Sequence, residues 1–315
     1  MTKKKKITIS IIAIACALIV GLGAFFGIRI YLKNMISFNI NDTLANGQGK
    51  AATVILLGGQ SNASGCSSDE YLQQKISPEK YAEYEQGYDN VYINYFCSGF
   101  NQSEAFVKCS TNQGERVGYF GPELGLAEKL HEMYPNRMFF IIKYAWSATE
   151  MYTQWTSPSS EGKTGRVYQG FEKFVETSLR YLVSKDYDIS VEGMCWMQGE
   201  SDSFFVETAN DYKDHLNNFI KDVRKKFKKY IDVEGMAFVD ATIAASPMYW
   251  VYYDLVNQSK QAVADMSPLN VLIDTNDHGL DTSEEPIENP DIPHYDSLSE
   301  IKLGHLFAEQ LAHFL

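Results

Sequence analysis

Cysteine is scarce, with five in 315 residues, and the spacing matches no zinc pattern; no metal and no other cofactor is expected. Cys195 falls in a strand-like segment, where a reduced core thiol is expected. Cys97 and Cys109 could bridge a loop in an oxidising compartment, and Cys66 could compete for either. Positive charge is also in short supply: 28 Lys and Arg face 40 Asp and Glu. Six of those basic residues and none of the acids lie in residues 1–34, so the rest carries 22 basic and 40 acidic side chains, a formal charge of −18. Such a domain suits neither nucleic acid nor an anionic membrane surface, and is better matched to a neutral or cationic ligand. Internal repeats and low-complexity tracts are absent.

Long apolar runs are missing except at the start. Lys3 to Lys6 precede an uncharged run from Ile7 to Ile28, long enough to cross a bilayer as a helix. The reading is a cytoplasmic tail at 1–6, a transmembrane anchor at 7–30, a polar linker at 31–50 and a domain at 51–315 outside the cytoplasm, at the cell membrane. Secretion after signal cleavage is the alternative, though a signal peptide's apolar region is usually shorter. Cys16 lies mid-run, which argues against lipidation there.

Beyond residue 50 strands alternate with helices. Strands are expected at Thr53–Leu57, Met138–Tyr144, Ser190–Met197, Gly235–Ala241 and Asn270–Asp274. Helices are expected from Gly121 to Tyr134, Arg166 to Ser184, Ser203 to Lys229, Asp254 to Asp265 and Leu298 to Phe314. In the last, Leu298, Ile301, Leu303, Leu306 and Leu311 are available for the core. Gly65 to Gly118 reads as loops with short elements, and 275–295 as an acidic loop in which Pro286, Pro290 and Pro293 oppose regular structure. The pattern predicts a three-layer α/β/α sandwich with a mostly parallel five-stranded sheet. Such sheets carry their sites beyond the strands' carboxyl ends.

Those ends hold Gly58-Gly59-Gln60-Ser61-Asn62, Ser147-Ala148-Thr149 and Gln198-Gly199-Glu200. Two glycines permit a sharp turn that lifts the Ser61 hydroxyl clear of the sheet. A serine needs a base, and only six histidines are present. His131, His215, His305 and His313 fall within predicted helices. His294 follows Asp291 by three residues across Pro293, so the carboxylate can reach the imidazole Nδ1–H; Asp277-His278 is less favourable, because adjacent side chains diverge. Backbone N–H groups of Ser61 and of Ser147 or Ala148, with the Gln198 amide, are candidate oxyanion donors. Gln60, Asn62, Gly199 and Glu200 are supporting residues.

Gly59-Gln60-Ser61-Asn62, Gly121-Pro122-Glu123-Leu124, Trp196-Met197-Gln198-Gly199-Glu200-Ser201-Asp202 and Asp291-Ile292-Pro293-His294 together resemble the sialate O-acetylesterase-like and carbohydrate esterase family six proteins of the SGNH hydrolases. The resemblance covers the chain from Thr53 onward. It implies a flavodoxin-like fold and metal-free removal of acetyl groups from an O-acetylated glycan. Ser61 would be the nucleophile, His294 the base, Asp291 its partner and Gln198 an oxyanion donor. Two departures stand out: Ser147-Ala148-Thr149 replaces the usual Gly-Gly-Thr, and Asn62-Ala63-Ser64 replaces the usual Asn-Met. A lipid-directed esterase or lysophospholipase, and a non-catalytic carbohydrate-binding protein on the same fold, are the competing readings.

Overall fold

Six long strands run parallel: β1 (Lys50–Gly59), β2 (Val91–Cys97), β3 (Met138–Ala145), β4 (Tyr187–Met197), β5 (Ala237–Ala241) and β6 (Asn270–Ile273). Their spatial order is β6-β5-β4-β1-β3-β2, and two short strands, Asn101–Gln102 and Val107–Lys108, pair antiparallel with β2. The structure is a computed structural model that describes residues 38–246, 248–282, 285, 291 and 293–315. Residues 54–57 and 139–142, in the central strands, are wholly buried, as their continuous apolar sequence requires of a sheet covered on both faces.

The helices are α1 (Ser61–Ser64), α2 (Asp69–Lys75), α3 (Pro78–Gln86), α4 (Glu123–Met133), α5 (Arg166–Ser184), α6 (Val206–Lys226), α7 (Tyr253–Ala264) and α8 (Ser297–Leu311). On one face α4 and α8 approach so closely that a Cβ on Gly125 would meet the Ile301 carbonyl at 2.0 Å. On the other, Phe171 of α5 and Phe219 of α6 pack with Trp155 and Trp196 in an aromatic layer. Every apolar position that spacing assigns to the inner side of α5 (Phe171, Phe174, Val175, Leu179, Leu182) is buried.

Several expectations need correction. The sheet has more than five strands, because β2 and its antiparallel partners lie in the stretch read as loops, as do α2 and α3. The polar segment read as a linker is bound to the domain. Thr43 and Leu44 N–H donate to the Tyr181 hydroxyl, Gly47 N–H donates to Lys185, and the folded unit starts at Asn39. Leu298 is exposed rather than core. Cys66, Cys97, Cys109 and Cys195 are all free thiols. The expected anchor at 7–30 and tail at 1–6 lie outside the described residues; among the described ones no helix is long and apolar enough to cross a membrane.

Candidate active site

Register brings three strand ends level. Gly59 is aligned with Ala145 of β3 and with Met197 of β4, so residues 60, 146 and 198 leave the sheet together. Gln60 N–H donates to the Met197 carbonyl at 2.9 Å, and Trp146 N–H to that of Gly59 at 3.0 Å. Gly59 has φ +141°, and a Cβ there would lie 1.9 Å from the Met197 oxygen. Only glycine makes this turn. It delivers Ser61, nearly buried, to the first position of α1, where early helical N–H groups lack intrahelical partners.

The loop after β6 supplies the histidine. His294 Nδ1 is 2.9 Å from Asp291 Oδ2, with His294 N–H donating to the Asp291 carbonyl at 3.0 Å. This close i, i+3 pairing is the one expected from the Asp-Ile-Pro-His spacing. His278, the rival, is exposed. The next residue ties this loop to the serine: Tyr295 N–H donates to Asn62 Oδ1 at 3.2 Å, and Ser67 Oγ donates to the Tyr295 carbonyl at 2.8 Å. Asn62 Nδ2 in turn donates to Glu200 Oε1 at 2.9 Å. Asn62 thus joins the end of β1, the end of β4 and the histidine loop. Among the described residues no hydrogen bond links the Ser61 and His294 side chains directly, and catalytic contacts of this kind commonly tighten only with substrate bound. Asn62→Ala should free the His294 loop and, with His294 in the role of base expected from the sequence, lower kcat by roughly tenfold or more, because small misplacements of a base are costly; a kcat equal to that of the parent protein would show that the tether does not position His294.

The structure rearranges the expected oxyanion donors. Gln198 is wholly buried, with its amide nitrogen donating to the Thr149 carbonyl at 2.9 Å and to Asp202 Oδ2 at 2.6 Å, while Tyr212 donates to its oxygen at 3.0 Å. Its donors are used beneath the site, so Gln198 stiffens the floor instead of meeting an oxyanion. Ser147 N–H is likewise taken, by Ser98 Oγ at 2.9 Å. Ala148 N–H has no partner among the described residues, which leaves it and Ser61 N–H as the available pair. Ala148 has φ +55°, a left-handed backbone that disfavours any Cβ. Ala148→Gly should therefore stabilise the fold by about 1 kcal/mol, less the glycine's greater unfolded-state entropy, read as a raised urea midpoint; a lowered midpoint would contradict the strain argument.

The supporting residues sit beneath this edge. Gln60 places its side-chain amide 3.3 Å from the backbone nitrogens of Gly199 and Ser201. Burial pushes the Glu200 carboxyl above the usual range, although Asn62 donates to it. Burial also lifts Asp202 to about 7, against the donors Gln198 and Met151 N–H. Sequence reasoning missed Ser98, Tyr295 and Asp202's grip on the Met151 and Tyr152 N–H groups, because these contacts cross between distant segments with no local pattern.

A doubly wound parallel sheet with this polar cluster at its carboxyl edge is the fold of the SGNH hydrolases. Within that class the chain belongs to the carbohydrate esterase, sialic acid-specific acetylesterase family, whose family model matches residues 51–313, and it is a carbohydrate esterase. Three solved structures share its fold. A protein from Arabidopsis thaliana is 17% identical, with 84% of this chain and 100% of that one covered at a TM-score of 0.61. NanS is 15% identical (86% and 99% covered, TM-score 0.63), and a carbohydrate acetylesterase from Xanthomonas citri is 14% identical (83% and 56% covered, TM-score 0.55). No match is found among curated proteins.

Proposed function

We propose that the chain removes O-acetyl groups from carbohydrate hydroxyls through an acetyl-enzyme on Ser61. His294 Nε2 takes the Ser61 hydroxyl proton as Oγ bonds to the acetyl carbonyl carbon, and the carbonyl electron pair moves onto oxygen. Ser61 and Ala148 N–H groups are the donors assigned to that oxyanion. Its collapse breaks the bond to the sugar oxygen, which recovers the proton from His294. A water then gives a proton to His294, attacks the acetyl carbon and releases acetate, with Ser61 Oγ reprotonated. Asp291 holds the imidazole in the Nδ1–H tautomer and stabilises the imidazolium. One observation carries this reading: the hydrogen bond from Tyr295 to Asn62, which keeps the His294–Asp291 pair beside the nucleophile turn.

The test is acetyl trapping. Brief reaction with p-nitrophenyl acetate, quenched in acid, should leave one acetyl group on the peptide containing Ser61, and acetate esters should outpace palmitate esters. An unmodified serine despite turnover would refute the covalent path; faster palmitate hydrolysis would favour a lipid-directed enzyme, and no turnover a binding protein. From sequence alone we also assign residues 7–30 to a membrane anchor that leaves the domain outside the cytoplasm.

A further inference from the structure

Beside the catalytic edge, between the loop after β3 and α6, lies an open cavity of about 1020 Å³ that none of Ser61, Gln198, Asp291 or His294 lines. That is the upper end of the size range of small-ligand sites, roughly 300–1,000 Å³. One wall is Tyr152, a residue 45% exposed, whose ring lies 5.5 Å from that of His215 on α6. The remaining charged lining is Glu161, Lys163, Asp211 and Asp214.

Both walls are held in place before any ligand arrives. Asp202 accepts from Met151 N–H at 3.0 Å and from Tyr152 N–H at 3.4 Å, and Thr156 Oγ1 donates to the Tyr152 carbonyl at 2.7 Å. The loop's far end is fixed to α6 by Ser159, whose N–H and hydroxyl donate to Asp222 at 2.7 and 2.6 Å. His215 Nδ1 is buried with no hydrogen-bond partner among the described residues, sealed from the cavity as it is from solvent, so the imidazole contributes its ring beside Tyr152. Asp202 also grips Gln198, so the Tyr152 wall is part of the same rigid assembly as the catalytic floor. The loop itself carries Ala148, one of the proposed oxyanion donors, near its start.

We propose that this cavity is a saccharide subsite that takes an uncharged or ammonium-bearing sugar unit of the substrate and rejects a carboxylate-bearing one. A half-exposed tyrosine face flanked by convergent polar groups is the chemistry that recognises a sugar ring, with an apolar face and a polar rim. Charge sets the selection. Three carboxylates face one lysine, and burial holds the His215 imidazole below its ordinary pKa, which keeps it neutral at pH 7. With Lys213, whose ammonium lies 3.9 Å from Asp214, counted beside Lys163, an anionic sugar would still enter against an excess of one negative charge, whereas an amino sugar would be attracted. The family's description as sialic acid-specific would then not describe this chain, since sialic acid carries a carboxylate. This inference rests on the proposed function only for the word substrate; the cavity's selectivity stands on its own geometry.

The test is calorimetric binding of xylotetraose, chitosan tetramer and sialyllactose to the full chain carrying Ser61→Ala. Xylotetraose and chitosan tetramer should bind at least about tenfold more tightly than sialyllactose, with only the chitosan affinity falling steeply with salt. Tyr152→Ala should weaken both by about tenfold and Tyr152→Phe recover most of that loss, while Asp211→Asn with Asp214→Asn should narrow the gap to sialyllactose. Equal or tighter binding of sialyllactose, or binding indifferent to Tyr152→Ala in a protein with native circular dichroism, overturns the proposal, as does no binding of any of the three. Selective binding in a protein whose parent never acetylates Ser61 would leave the subsite standing and remove the catalytic reading.

Discussion

Ser61→Ala and His294→Ala, made singly and together, are expected to lower kcat on p-nitrophenyl acetate to one common floor, roughly 10⁴–10⁶ below the parent enzyme. The reason is interdependence. Without the base, the serine hydroxyl is a poor nucleophile at neutral pH; without the hydroxyl, the base has nothing to activate except water. Removing the second member of such a pair therefore removes little that the first removal left. Asp291→Asn should cost less, roughly 10²–10⁴, because the Asp291 side chain is 46% exposed and water can partly replace it at His294 Nδ1. Additive losses in the double variant would show that Ser61 and His294 act separately, and a mild single loss at His294 would move the search to another base. Circular dichroism separates these outcomes from misfolding.

What the sequence disclosed of this arrangement was whatever is local. Thr53 to Leu57 announces a buried strand and Gly58-Gly59 its turn, and the three-residue step from Asp291 to His294 places a carboxylate at an imidazole. The β2 strand was hidden for a physical reason. Its Asn94 is buried, with Nδ2 donating to Ser178 Oγ at 2.9 Å and Oδ1 accepting from Ser103 Oγ at 2.8 Å, so a polar residue stands where hydropathy expects an apolar one. The α3 helix did carry a signal, Ser77-Pro78-Glu79. Ser77 caps it by accepting from Lys80 N–H at 3.2 Å, and Pro78 occupies the first turn, but with a single buried residue, Tyr84, the helix has no apolar stripe. Gln198 shows the remaining gap. Its place at the end of β4 was legible, but the direction of its amide depends on Thr149, Asp202 and Tyr212, drawn from three elements whose packing no spacing rule predicts.

The same limitation hides a buried ion pair in the core. Lys143 and Glu123 are both completely buried and paired at 2.6 Å, with the ammonium also donating to the Gln113 carbonyl at 3.0 Å and Glu123 accepting from Gly121 N–H at 2.9 Å. Lys143 lies inside β3, a strand whose other residues are buried, and Glu123 opens α4, where the helix dipole favours an anion. Lys143→Met is expected to destabilise the domain by about 3–5 kcal/mol, because it leaves a carboxylate in the core with no counter-charge. Lys143→Met with Glu123→Gln should recover most of that loss: the charge is gone, the amide oxygen still accepts from Gly121, and the methionine fills the lysine's volume. Urea unfolding followed by tryptophan fluorescence reads both. A double variant as unstable as the single one would mean that the lysine stem packs the core and the ion pair contributes nothing of its own. Recovery would show that what the fold cannot tolerate is the unpaired charge, and that the pair persists because either half alone is ruinous.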